Sequence, residues 1–175
     1  MTVLLKSHSE NSGNLWLIGT GYMGLEYAKV LLYLKKAFLV IGRDNLSAKR
    51  FQNEIGLSPQ TGGLSNALKN NIPPKVAILA VSVEELFHCT KQLILNGCKK
   101  ILVEKPVGIT LSQIEELVKL KNRYDVEIFV AYNRRFFKSV YEVKEKIQEE
   151  NGISSLNFEF TEFGFKLKNN KKFNK

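Results

Sequence analysis

Residues 15–35 limit the possible folds more than any other part of this chain. Leu15-Trp16-Leu17-Ile18 is a short apolar run without polar alternation, the pattern of a strand covered on both faces. Gly19-Thr20-Gly21-Tyr22-Met23-Gly24 follows directly. Residues 22–35 then space Met23, Tyr27, Val30, Leu31 and Leu34 by three and four, which predicts a helix with those side chains on its buried face. In such a unit each glycine has its own task. Gly19 permits the tight turn, Gly21 lets a diphosphate approach bare backbone, and Gly24 lets the helix close onto the strand. Free N–H groups and the helix dipole favour phosphate at this point.

The rest of the chain continues the pattern. Further apolar runs lie at residues 38–41, 76–80, 101–103 and 127–130, with a weaker strand expected at residues 58–61. Ser82-Val83-Glu84-Glu85 fits a capping box, and the helix it opens presents Leu86, Cys89, Thr90, Leu93 and Ile94 before Gly97, a left-handed cap. Thr110-Leu111-Ser112-Gln113 is a second box, ahead of Ile114, Leu117 and Val118. A last helix, residues 138–150, carries Val140, Val143 and Ile147 and stops near Gly152. Strands alternating with helices imply a doubly wound parallel α/β sheet of order 3-2-1-4-5-6, the Rossmann arrangement, with ligands outside the carboxyl ends of its strands. This continuation favours dinucleotide binding over a glycine turn that serves packing alone.

Candidate site residues follow from those strand ends. Gly19, Thr20, Gly21, Tyr22, Met23 and Gly24 form the expected pyrophosphate loop. The second strand ends in Gly42-Arg43-Asp44, where enzymes that use NAD usually place an acid against the adenosine ribose. Gly42 leaves room for a 2′-phosphate and Arg43 pairs with one, so NADP is preferred, NAD remaining the alternative through Asp44. Val81 and Ser82 end the fourth strand and are expected at the cofactor edge. The fifth run delivers Glu104 and Lys105, the latter suited to hydrogen-bond a substrate oxygen and move a proton, with Pro106 restricting its backbone.

Composition excludes other classes. With 44% apolar residues among 175, the chain is enough for one domain with a small appendage. No apolar run reaches the ~18 residues of a membrane span. The start lacks the basic residues and long apolar stretch of a signal peptide. Cys89 and Cys98 are too few for a disulfide framework and read as reduced, packed thiols, so the expected compartment is the cytoplasm. Net charge is +9, with Lys166, Lys168, Lys171, Lys172 and Lys175 in an acid-free tail. The tail reads as a solvated end, since aromatic residues do not interleave with arginines as nucleic-acid binding would want. A basic adaptor held by that tail is the weakest functional reading.

Three segments together, Gly19–Gly24, Glu104-Lys105-Pro106 and Ala131-Tyr132-Asn133-Arg134-Arg135-Phe136, resemble the N-terminal domain of the Gfo/Idh/MocA oxidoreductases in order and separation. The resemblance covers roughly residues 15–163. It implies hydride transfer between NAD or NADP and a carbinol carbon of a sugar, cyclitol or sugar nucleotide. It also implies that Lys105 sits near the nicotinamide in the proton-transfer apparatus. Asn133 and Arg134 are implied to line the cofactor and substrate cleft.

There are departures. Relatives carry Thr-Pro-Asn and then a histidine after the fourth strand; here Ser82-Val83-Glu84-Glu85 precedes His88, and the family histidine is not carried onto it. Residues 153–165 alternate as the opening strand of a second domain, with Leu156, Phe158, Phe160 and Thr161 on its pattern, and then the chain stops. The expected organisation is a flexible segment 1–13, a nucleotide-binding domain 14–150, and 151–175 as the start of a truncated substrate domain whose exposed strand offers a pairing edge. A catalytically incompetent dinucleotide-binding fragment is the alternative to a working oxidoreductase.

Overall fold

The computed structural model describes residues 14–157 and 159. The chain divides into two compact units, Met1–Tyr132 and Asn133–Lys175. The first is a parallel sheet of five strands: β1 (Leu15–Ile18), β2 (Leu39–Ile41), β3 (Val76–Leu79), β4 (Lys100–Val103) and β5 (Glu127–Val130), in the order β2-β1-β3-β4-β5. Every neighbouring pair is parallel, in registers such as Leu17 with Val40 and Ile18 with Leu79.

The weak strand expected at residues 58–61 is reduced to one bridge. Gln60 pairs with Ile41, its N–H donating to the Val40 carbonyl and its carbonyl accepting from Gly42. Pro59 has no N–H to extend the ladder. Counting this bridge as the third strand, the order matches the 3-2-1-4-5-6 expectation.

Helices cover both faces: α1 (Tyr22–Tyr33), α2 (Asn45–Ile55), α3 (Gly63–Asn70), α4 (Val83–Leu95) and α5 (Leu111–Tyr124). Alternate strand residues feed two cores. Trp16, Ile18, Leu79, Ile101 and Val103 pack with Leu64 of α3, Leu86, Leu93 and Ile94 of α4, and Leu117 of α5. Leu17, Val40 and Ile78 pack with Ala28 and Leu31 of α1 and Phe51 of α2. Each fully buried aliphatic side chain contributes about 1.5–3 kcal/mol.

The buried face of α1 differs from the expected one. Gly24, Ala28 and Leu31 face inward, while Val30 and Leu34 are each 53% exposed. Small residues let α1 lie close to the sheet, so spacing counted on large apolar residues picks the wrong edge. Other local signals also separate. Thr110 forms the full capping box with Gln113, but Ser82 stands at the start of α4 without a side-chain capping bond. Gly97 takes the left-handed conformation expected of it, with φ of 87°.

The second unit, described by itself, is a 3-10 turn (Asn133–Phe136) followed by α6 (Lys138–Glu149). It begins ahead of the boundary expected near residue 150. Both cores are built from residues no later than Val130, and no residue of α6 is buried. Residues 153–157 and 159 form no strand. The remainder of the expected strand, including Phe158, Phe160 and Thr161, lies outside the described residues, as do segment 1–13 and the lysine tail. Among the described residues no helix is long and apolar enough to cross a membrane.

Candidate functional site

The strand order reverses direction between β1 and β3, and the carboxyl ends of the strands open there into a cleft of about 580 Å³. Gly19 leaves β1 with φ of 119°, a conformation open mainly to glycine. A Cβ at Gly19 would collide with the Ala80 carbonyl just past β3, and one at Gly24 would collide with the Gly19 carbonyl. Gly21 is different. It stands at the N-terminus of α1 with nothing within 4 Å of its missing Cβ. No side chain caps α1 and no acid sits in its first turn. Its first amides have no partner within the helix, so they and the dipole favour an anion. These features fit a diphosphate: bare donors, a positive helix end and space directly above Gly21.

The end of β2 is tied to this loop through side chains. Thr20 is buried, and its hydroxyl donates to Ser47 Oγ at 2.9 Å. Ser47 Oγ donates in turn to Asp44 Oδ2 at 3.0 Å, and the Ser47 N–H to Asp44 Oδ1 at 2.8 Å. Asp44 thereby caps α2, and those bonds hold its carboxyl below the usual carboxylate range. Arg43 is exposed at the cleft, and its side chain forms no ion pair among the described residues. Gly42 is buried behind the loop, where a Cβ would stand 3.1 Å from Thr20 Cγ2.

The opposite wall comes from β3 and β4. Val81, Ser82, Glu85 and Cys89 line it from the start of α4, and Glu104 and Lys105 from the end of β4. The Tyr27 hydroxyl, on α1, donates to Glu104 Oε1 at 2.7 Å. Burial, then the bond to Glu104 and its charge, push the Tyr27 phenol above its ordinary range, so it stays a donor. The Lys105–Pro106 peptide bond is cis. Burial, then the Glu85 charge, pushes the Cys89 thiol up to about 11.

The cleft therefore gathers Gly19, Thr20, Gly21, Tyr22, Met23, Arg43, Asp44, Val81, Ser82, Glu104 and Lys105. Gly24 and Gly42 stand behind it as packing positions. Asn133 and Arg134 belong to the 3-10 turn of the second unit. His88 is exposed on α4, its ring against Phe87. Sequence reasoning missed Ser47, Tyr27 and Glu85. Ser47 was signalled by Asp44 three residues ahead, the spacing of a helix cap. Tyr27 was counted as an apolar core position, and its hydroxyl has no local signature.

The profile of a family described as an oxidoreductase family with an NAD-binding Rossmann fold matches residues 14–132. The chain belongs to the Gfo/Idh/MocA oxidoreductase family. Within that family, a trans-1,2-dihydrobenzene-1,2-diol dehydrogenase from Xenopus tropicalis is 26% identical over 129 residues, covering 73% of this chain and 38% of the relative. An Agrobacterium radiobacter oxidoreductase, solved with NAD+, L-tartaric acid and magnesium, superposes with a TM-score of 0.69 at 17% identity. That match covers 82% of this chain and 42% of the other. GenD2 from gentamicin A biosynthesis, solved with NAD, gives a TM-score of 0.68 at 19% identity over 89% of this chain and 44% of that one. The two structures share the fold. The chain spans well under half the length of the curated relative.

Proposed function

We propose that this Gfo/Idh/MocA chain is the nucleotide-binding half of an NAD(P)-dependent oxidoreductase acting on a hydroxyl or carbonyl carbon of a sugar, cyclitol or sugar nucleotide. The observation that carries this reading is a single cleft holding both an uncapped helix end over open Gly21 and the Lys105 side chain. The relative named for a ring diol supports a carbinol substrate.

When bound, the nicotinamide accepts or gives a hydride at the substrate carbon. The chain's own residues do the rest. The amides of residues 21–23 grip the diphosphate, and the Thr20–Ser47–Asp44 bonds keep that loop against the end of β2. Arg43 pairs with a 2′-phosphate, which favours NADP over NAD. Ser82 and Val81 bound the nicotinamide side, and Lys105 exchanges a proton with the reacting oxygen. The two unpaired, packed thiols support a reducing compartment, the cytoplasm.

Fluorescence titration with NADPH and NADH tests this. NADPH binds more tightly than NADH, Gly21→Val abolishes both, and Arg43→Ala weakens NADPH alone by about tenfold or more. Equal affinities that ignore Arg43→Ala would remove the NADP preference, and binding untouched by Gly21→Val would remove the site.

The second reading is a dinucleotide-binding protein without turnover. The chain spans 38% of the Xenopus tropicalis relative's length. Turnover assays with sugar nucleotides and cyclitols separate the two.

A further inference from the structure

The Tyr27–Glu104 hydrogen bond joins the two walls of the cleft. Tyr27 sits one helical turn past Met23, on the helix whose first turn forms the phosphate end of the cleft. Its ring is half-buried against the second core. Glu104, next to Lys105, lines the other end. At 2.7 Å the phenol occupies one carboxylate oxygen, and no other hydrogen bond to the Glu104 side chain occurs among the described residues. A carboxylate offers about four lone-pair positions and no proton. What remains open on Glu104 therefore calls for a donor, and phosphate is excluded from it by charge. On a dinucleotide gripped by its diphosphate at Gly21, such donors lie in the nicotinamide riboside half: the carboxamide NH2 and the ribose hydroxyls.

Resting on the dinucleotide reading above, we propose that Tyr27 is a positioning residue that fixes Glu104 as the acceptor for an N–H or O–H donor of the nicotinamide riboside. The conformational cost of holding Glu104 is met by the fold, not by the ligand. Because the bond spans both walls, it also sets the distance from the diphosphate grip to Lys105.

The test uses the whole chain with Tyr27→Phe, which keeps the ring and removes only the donor, and with Glu104→Ala, which removes the acceptor. NADPH and 2′,5′-ADP, which lacks the nicotinamide half, are titrated against each. Tyr27→Phe is expected to weaken NADPH by about tenfold while 2′,5′-ADP binds as in the parent chain. In the Glu104→Ala background, adding Tyr27→Phe costs little more, because no acceptor is left for the phenol to hold. The 3-acetylpyridine analogue of NADP, which has no carboxamide NH2, distinguishes the donors. If Tyr27→Phe leaves its affinity alone, the NH2 is the group held; if the penalty persists, a ribose hydroxyl is. Unchanged NADPH affinity in Tyr27→Phe, an equal loss for 2′,5′-ADP, or additive effects in the double variant would each overturn the proposal. A parent chain that binds neither nucleotide would instead overturn the dinucleotide reading beneath it.

Discussion

The three glycines of the first loop look alike in sequence and do different work. Gly19 and Gly24 touch backbone carbonyls where any Cβ would collide, whereas Gly21 faces open space. Gly24→Ala is therefore expected to destabilise by about 1–3 kcal/mol or more through overpacking, seen as a lowered Tm. Gly21→Val keeps its Tm within a few degrees and loses nucleotide. A Gly21→Val chain that melts early would show that the loop needs this glycine for folding. The cysteines carry a second expectation. Burial lifts both thiols to about 11, with Glu85 adding to the effect at Cys89. Iodoacetamide should thus react slowly at pH 8 and roughly tenfold faster per pH unit towards 11. Since the neutral thiol is the form the fold prefers, stability falls as pH climbs from 9 towards 11. Cys89 lines the cleft and Cys98 does not, so bound NADPH should protect Cys89 from alkylation at pH 9, by mass spectrometry, and leave Cys98 unaffected.

At the level of elements, the caps divide into one that forms and one that does not. Thr110 and Gln113 exchange both bonds of a capping box at the start of α5. Thr110→Ala should cost about 1 kcal/mol in chemical denaturation. Ser82 makes no such bond, so Ser82→Ala should stay within about 0.5 kcal/mol. A Ser82 effect as large as that of Thr110 would contradict this assignment. Both boxes read alike in sequence, because a capping motif states which residues are present and not which rotamer the surrounding loop admits. The strands were more legible. The runs at 15–18 and 127–130 match β1 and β5 residue for residue: β1, covered on both faces, needs an unbroken apolar stretch, while β5 at the sheet edge leaves Glu127 and Phe129 exposed. The segment at 58–61 lacks such a stretch and carries Pro59, and it forms a single bridge. On α1, the Gly24-Ala28-Leu31 seam was hidden because it is made largely of residues too small to register as hydrophobic.

For the whole molecule, the sheet order and the cleft followed from β-α-β alternation, because right-handed crossovers leave few ways to wind such a chain. What sequence could not supply were bonds between distant segments, Tyr27 to Glu104 and Thr20 to Ser47, which exist only once the sheet has formed. Both cores end by Val130. A chain ended at Tyr132 should accordingly melt within a few degrees of the full chain. A large fall in Tm would show that the second unit supports the first. The same cleft has a consequence for folding. Its two walls leave β1 and β3, neighbours in the sheet but separated along the chain by α1, β2, α2 and α3. A coenzyme lying across that seam has nothing to hold until distant stretches have met, so it stitches the central pair shut and should raise the melting point in step with its own concentration.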